Sequence, residues 1–267
     1  CLTQDELEYG AEVIAGLDYN SSRIFRRLSR MEEMTFAKSK EAWALLIGLD
    51  LSFEQVLAFE GWSNLDRIHI DRGLAALSEI KSLNYEAGRS FRSYCELPRV
   101  SPDHALKTIP LINRLNDAQN RAVQNLLALP DVNAEKALEG LGIIARLGSY
   151  QAVAVEVLGK VPGMTVERMI DSLPLIRMLN MENAWNAKTV FSFDSISPDK
   201  AWFWLVAFFA TPVEIQEQQF HSLSDHDKET LVRAFYEGGE ELIWKINNLH
   251  GVTDQFGYEI SDRTLFS

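Results

Sequence analysis

The stretch "SPDHALKTIPLINRLNDAQNRAVQNLLALP", residues 101–130, decides the fold because the chain repeats its pattern. A second version, "NAEKALEGLGIIARLGSYQAVAVEVLGKVP" (133–162), and a third, which begins at Thr165, follow at a spacing of 32 residues. The apolar residues agree between the copies, whereas most of the polar ones differ. A fixed period of this length is the signature of a repeat architecture, in which each unit is one supersecondary element.

Each unit is predicted to be a pair of helices. With residue 101 as position one, blocks that begin at Ala37, His69, Ser101, Asn133, Thr165 and Ser197 align without a gap. Positions six, nine, twelve and fifteen are mostly apolar, and this step of three residues predicts the buried stripe of a helix. Positions 23, 26 and 29 form a second stripe of the same kind. We expect helices of roughly 14 and 12 residues, joined by very short connections.

Polar residues and prolines mark the ends of these helices. Position one carries side-chain oxygens that can accept hydrogen bonds from the free N–H groups of a first turn: Ser101, Asn133, Thr165 and Ser197. Position sixteen carries residues that either adopt a left-handed turn or cap the next helix: Ser52, Asn84, Asn116, Gly148 and Asn180. Position thirty carries Pro98, Pro130 and Pro162, which stop the second helix because proline lacks the N–H donor.

These signals predict an all-α fold, a right-handed α-solenoid of about eight helix-hairpin repeats, because one hairpin cannot bury its own stripes. Residues 1–4 are expected to be an anchor or linker, 5–228 the superhelix, and 229–267 a degenerate last repeat and cap. The period is similar to those of tetratricopeptide and HEAT repeats. The tetratricopeptide pattern of Trp, Leu-Gly, Tyr, Ala and Pro is absent, so the resemblance is to the architecture only.

The charge of the chain limits its partners. Lys and Arg total 26 against 38 Asp and Glu, which gives a formal net charge of -12. Nucleic-acid binding needs a basic surface, and anionic membranes repel an acidic protein, so we expect neither as a direct partner. The longest apolar runs, such as "AWFWLVAFFA" at 201–210, reach about half the length of a membrane-spanning helix.

Cys1 suggests a lipid anchor. A natural chain begins with Met, so a chain that begins with Cys is either a cut fragment or a processed product. The start resembles that of a mature bacterial lipoprotein, in which the Cys left by signal-peptide cleavage carries the acyl chains. The resemblance implies the bacterial envelope, on the periplasmic side of the outer membrane. Without a lipid, a soluble cytoplasmic protein is expected.

Two groups of residues are candidates for partner binding. Position four carries basic side chains in successive repeats. They are expected either to bind an acidic segment of a partner or to pair with nearby carboxylates. The seventh unit places large aromatic residues at positions that are small or polar elsewhere, and this extra apolar face needs a cover, either residues 224–267 or a partner. The candidate partner-binding residues are Phe203, Trp204, Phe209, Lys136, Arg168 and Lys200.

Signals of catalysis or metal binding are weak. The stretch "HSLSDHD" (221–227) holds two histidines, but their spacing does not aim both at one ion. Cys95 shares position 27 with Leu127 and Phe191, which predicts a partly buried structural thiol. We predict no catalytic residue, metal or cofactor, and a non-enzymatic scaffold that presents a surface to a protein or peptide. The alternatives are the superhelical, non-catalytic region of a larger envelope enzyme and an all-α enzyme with its site inside the superhelix. The oligomeric state stays open.

Overall fold

The structure, a computed structural model, describes residues 8, 10–12, 15–194 and 196–210, apart from the side chains of residues 203, 207, 209 and 210. It is an all-α helical-repeat solenoid, which confirms the fold class predicted from the sequence. The described residues form twelve helices of ten residues or more: α1 (Tyr19–Leu28), α2 (Phe36–Gly48), α3 (Phe53–Ser63), α4 (Ile70–Ile80), α5 (Tyr85–Cys95), α6 (Pro102–Ile112), α7 (Asp117–Leu127), α8 (Ala134–Ile144), α9 (Ser149–Leu158), α10 (Val166–Met178), α11 (Met181–Phe191) and α12 (Pro198–Ala210).

The contacts divide the described chain into two compact units. The first comprises the described residues up to Asn120 together with Asn133–Ala137, and the second comprises Arg121–Val132 and the described residues from Leu138 onward. In the first unit, α1 packs on α3 and α3 on α5, while α4 packs on α6. In the second unit, α9 packs on α11 and α10 on α12. Equivalent helices of successive repeats therefore lie side by side within each unit.

The apolar positions of the repeat are the core. At positions nine and twelve the buried residues are Leu77, Ile109, Leu141, Leu173 and Leu205, and Ile80, Ile112, Ile144, Ile176 and Phe208. In the second helices they are Phe59, Phe91, Val123 and Val155, with Trp62, Tyr94, Leu126, Leu158 and Val190. Burial of one large apolar side chain contributes about 1.5–3 kcal/mol, so the repeated stripes supply much of the stability.

The predicted helix caps are present. The N–H groups of the residues three positions later donate to Ser101, Asn133, Thr165 and Ser197 at 3.3, 3.0, 3.2 and 3.3 Å. Position sixteen acts as a cap and not as a left-handed turn. Asn84, for example, has a φ of -76° and accepts a hydrogen bond from the Ala87 N–H at 2.9 Å.

Five described residues have a left-handed backbone: Glu33, with a φ of 61°, lies two residues before the cap Thr35, and the other four lie at position 31, after the second helix. The φ angles there are 59° at Arg67, 63° at Arg99, 63° at Asp131 and 79° at Gly163. Position 31 therefore turns the chain back toward the next repeat. Only one of the four residues is the glycine that such a backbone favours, which is why the sequence did not reveal the turn.

The hairpin formed by α2 and α3 has a different register from the one that we predicted. Helix α2 is capped by Thr35, 34 residues before the next such cap, His69, so this unit starts two residues earlier than Ala37. In α2 the buried side chains are Ala42 and Leu46, and the predicted core residue Leu45 is only half-buried. The two extra residues lengthen the unit, and they change which side of α2 faces its neighbours.

Glutamines at position nineteen join successive repeats. The Oε1 atom of Gln55 accepts a hydrogen bond from the Ser52 N–H at 2.9 Å, which closes the cap of α3. Its Nε2 atom donates to the carbonyl oxygens of Lys81 and Leu83, at the end of α4, at 2.7 and 2.8 Å. The Gln55 side chain thus provides hydrogen-bond partners for a backbone N–H at the start of α3 and for two carbonyl groups at the end of α4, which the helices themselves leave without partners.

Candidate functional site

The basic row at position four pairs with carboxylates of the next repeat. The Arg72 Nε atom lies 2.8 Å from Asp103 Oδ1, and the Arg168 Nη2 atom lies 2.7 Å from Asp199 Oδ1. Both acids occupy position three of the following repeat. These pairs are solvent-exposed, so each contributes roughly 0–1 kcal/mol. In these two repeats the structure supports pairing of the row with nearby carboxylates, the second of the two alternatives.

Aromatic rings contact two members of this row, Arg168 and Lys40. The Arg168 guanidinium also lies 4.8 Å from the centroid of the Trp202 ring, and the Lys40 ammonium lies 4.7 Å from the centroid of the Phe36 ring. Lys136 and Lys200 are half-buried residues in the first turns of α8 and α12. A role for Lys136, Arg168 and Lys200 in partner binding stays a prediction.

Trp204 belongs to the core. Its side chain is 1% exposed, and its ring centroid lies 6.0 Å from that of Phe191 and 5.3 Å from that of Phe208. A ring so enclosed has no free surface for a partner, so we correct its assignment from partner binding to core packing. Phe203 and Phe209 lie in α12, but their side chains are outside the described part of the structure, as are Cys1, the "HSLSDHD" stretch and the proposed cover at 224–267.

Three exposed rings form a row in the first unit, and we call Tyr19, Phe53 and Tyr85 the aromatic row. They are the first residues of α1, α3 and α5, and 72%, 50% and 58% of their surfaces are exposed. The cap just before each ring accepts a hydrogen bond from a first-turn N–H and fixes the start of the helix. Because α1, α3 and α5 pack side by side, the rings occupy one end of three adjacent helices.

Arginines hold the rings of the aromatic row in place. The Arg23 Cζ atom lies 5.7 Å from the Tyr19 ring centroid and 5.3 Å from that of Phe53. Glu60 orients this guanidinium through a hydrogen bond between Nε and Oε1 of 3.0 Å, which raises the pKa of Arg23. Arg89 lies 5.9 Å from the Tyr85 ring centroid. Each such contact is worth about 0.5–1 kcal/mol at an exposed site.

The second unit has an exposed apolar cluster of its own. Met181, the first residue of α11, is 59% exposed, and Trp185, one turn further along the same face, is 52% exposed. The Lys188 ammonium lies 3.9 Å from the centroid of the Trp185 ring. Tyr150, near the start of the packed neighbour α9, is also exposed. Exposed apolar side chains therefore lie near the starts of second helices in both units.

These exposed side chains are not among the candidates predicted from the sequence. Phe53, Tyr85 and Met181 share position seventeen, and that recurrence was the available signal. Asp117 and Ser149 interrupt this recurrence in the repeats between. The two extra residues of the repeat that contains α2 move Tyr19 out of alignment. Position seventeen lies off the buried stripe of the second helix, so the periodicity of the core residues does not mark it.

Cys95 is a buried thiol, more enclosed than the partly buried thiol that the sequence predicts. Its side chain is 4% exposed, and burial raises the pKa of the thiol far above its usual value. Burial also raises the pKa of the neighbouring Tyr94 to about 12. A thiol in this environment stays protonated and is a poor nucleophile at neutral pH.

Among the described residues, no group of three or more His, Cys, Asp or Glu side chains is placed to hold a metal ion. No helix in the same part of the chain is long and apolar enough to cross a membrane. No protein-family model, curated protein or solved structure matches this chain.

Proposed function

We propose that the protein is a non-enzymatic helical-repeat scaffold and that the exposed rings of its second helices bind a protein or peptide partner. The observation that carries this proposal is the aromatic row. Tyr19, Phe53 and Tyr85 are each at least half exposed, and they occupy one position on three adjacent helices. Stacked repeats offer extended binding surfaces, and aromatic and Arg side chains are enriched where proteins bind one another.

Recurrence distinguishes these rings from ordinary surface residues. Single exposed apolar side chains are normal on soluble proteins and need no functional account. Here three rings share a position, and Arg23 contacts two of them. A ring that is already held in place loses less conformational entropy when a partner binds, which favours binding.

The second unit contributes a surface of similar chemistry to the proposal. Tyr150, Met181 and Trp185 combine aromatic rings with a flexible thioether, a mixture that adapts to a partner's shape. We keep Lys136, Arg168 and Lys200 in the proposal as partner-binding residues. Phe203 and Phe209 stay in the proposal as a further apolar contact.

The partner-binding role is tested by a matched pair of variants. The double variant Phe53→Ser, Tyr85→Ser removes two rings of the aromatic row. The control, Ile47→Ser, removes an exposed apolar side chain from α2, which is the first helix of its repeat. We expect capture of the native partner to fall by about tenfold in the double variant only, while both variants keep wild-type helical content. Unchanged capture by the double variant would contradict the proposed surface.

A second experiment tests the last described helix. Substitution of Phe203 and Phe209 with Ser should weaken partner capture while the helical content and melting temperature stay near those of the wild type. If the protein unfolds instead, both rings belong to the core and the partner role of this helix is wrong.

We further propose that a lipid on Cys1 anchors the scaffold in a bacterial envelope, where the periplasmic face of the outer membrane is its expected location. The thiol of Cys1 is the group that would carry an acyl chain. Intact mass spectrometry of protein from native membranes tests it. Acyl chains would add to the 30.3 kDa of the bare chain, and an unmodified mass would exclude the anchor.

A further inference from the structure

Helix α1 concentrates positive charge in an otherwise acidic chain. Arg23, Arg26 and Arg27 lie on α1, and Arg30 lies in the turn directly after it, whereas the whole chain carries a formal net charge of -12. Glu60 pairs with Arg23, and Arg27 donates to the Asn64 Oδ1 atom at 2.8 Å. Arg26 and Arg30 are exposed, and their side chains form no ion pair or hydrogen bond with any residue that the structure describes.

Arg26 lies on the same face of α1 as an exposed ring. Tyr19, Arg23 and Arg26 follow at steps of four and three residues, which places them along one side of α1, and Arg30 follows in the turn after the helix. The span from Tyr19 to Arg26 is about 10 Å of helix. The Phe53 ring stands beside this line, next to the Arg23 guanidinium. We call Tyr19, Phe53, Arg23, Arg26 and Arg30 the arginine stripe.

Acidic groups bound the arginine stripe and make it narrow. Glu32 and Glu33, just after Arg30, face His69 with oxygen-to-nitrogen distances of 3.5 and 3.6 Å. Glu60 lies on the neighbouring helix α3. A broad anionic surface such as a bilayer would meet these carboxylates and the net negative charge of the chain together with the arginines. A single acidic segment can contact the arginines alone.

We propose that the arginine stripe binds an acidic amphipathic segment of a protein partner. Carboxylates of that segment pair with Arg26 and Arg30, and an apolar side chain of it packs against the Tyr19 and Phe53 rings. This inference rests on the proposed scaffold function and adds the chemical class of the partner. Charge pairs at the edge of an interface chiefly set the association rate and the salt dependence, while the rings supply the anchor.

A synthetic peptide is the probe. It is a helix of about five turns made of Glu, Leu and Ala, with Glu side chains along one edge of a Leu stripe, and the control peptide carries Gln in place of each Glu. Fluorescence anisotropy measures binding to the full chain with Cys1→Ser. The variant is Arg26→Gln, Arg30→Gln, and its matched control is Arg67→Gln, Arg99→Gln, two exposed arginines of the same unit that lie off the stripe.

We expect the Glu peptide to bind and the Gln peptide to bind at least about tenfold more weakly. The double variant at 26 and 30 should lose about tenfold in affinity, the control pair should lose little, and binding should weaken as salt rises. Equal binding of both peptides, or equal losses in both variants, would overturn the inference.

A vesicle experiment separates the peptide from a membrane surface. The same chain is sedimented with phosphatidylcholine vesicles that contain phosphatidylglycerol. If Arg26 and Arg30 are required for sedimentation but not for peptide binding, the stripe recognises lipid and the inference is wrong. Loss of native-partner capture in the Phe53→Ser, Tyr85→Ser variant without any acidic-peptide binding would uphold the scaffold and overturn only the partner class.

Discussion

The side-chain amide of Gln151 donates to the carbonyl oxygen of Leu179 at 2.7 Å and joins the start of α9 to the end of α10. The same amide donates to the Arg177 carbonyl oxygen at 2.6 Å, and its Oε1 atom accepts from the Gly148 N–H at 2.6 Å. Gln55 makes the equivalent three hydrogen bonds three repeats earlier. A single position of the repeat thus carries both a helix cap and a link to the next repeat.

Gln151→Ala should lower the free energy of unfolding by about 1–3 kcal/mol, because the Gly148 N–H and two carbonyl groups lose their partner. Gln151→Glu is the sharper variant. It keeps the acceptor for Gly148 but replaces the donor with a carboxylate that faces two carbonyl oxygens, so we expect at least as large a loss at pH 7. Urea denaturation followed by circular dichroism measures both. If either variant is as stable as the wild type, the side chain does not link the repeats.

Gly163→Ala should destabilise the protein by about 1–2 kcal/mol, because a side chain disfavours the left-handed backbone at position 31. Arg99→Gly should raise stability, since glycine adopts the same φ of 63° without strain. Gly142→Ala serves as the control. Its added Cβ meets no atom within 4 Å, and in a helix it should stabilise by about 0.5–1 kcal/mol. Thermal melts compare the three, and destabilisation by Arg99→Gly would contradict the account of the turn.

Glu156 should make the second unit sensitive to acid. Burial alone would raise the pKa of this carboxyl, but hydrogen bonds from Lys160 and Arg121 outweigh burial and lower the pKa below its usual value. Because the folded-state pKa is lowered, the Glu156 carboxylate stabilises the protein fully above the unfolded-state pKa near 4.5. This stabilisation is lost as the pH falls through the folded-state pKa.

Glu156→Gln should therefore be less stable than the wild type at pH 7 by about 1 kcal/mol, and the difference should shrink below pH 4.5. Glu139→Gln, an exposed carboxylate on a first helix, is the control. Denaturation midpoints at pH 7 and pH 3 give the comparison. A difference that persists unchanged at pH 3 would show that the effect is not electrostatic.

Cys95 should resist modification in the native protein. Burial removes access and keeps the thiol protonated, because its pKa lies far above the usual value. In a Cys1→Ser variant, a thiol-reactive disulfide reagent at pH 8 should label almost no Cys95 until urea is added. Rapid labelling without denaturant would mean that α5 opens readily.

The core and the helix ends were largely predictable from the sequence, but the surface was not. Stripes such as Ile109, Ile112 and Leu115 have a period that only a buried helix face explains, and caps such as Ser101 have a local chemistry. The register of α2 was missed because two extra residues break the period. Trp204 was misassigned because its position holds a small residue in the other repeats. Whether a large residue there is buried or exposed depends on the space that its neighbours leave, and here the ring packs beside Phe191 and Phe208.

Photo-crosslinking in cells of the source organism tests the central claim, that the exposed rings of the second helices bind a partner. A benzophenone amino acid replaces Tyr19, Phe53, Tyr85 or Trp185 in turn, and the exposed first-helix residues Ile47 and Lys107 are the controls. We expect one partner, identified by mass spectrometry, to be linked at positions on second helices and not at the controls. No adduct at the second-helix positions, or the same adduct at every position, would contradict the scaffold.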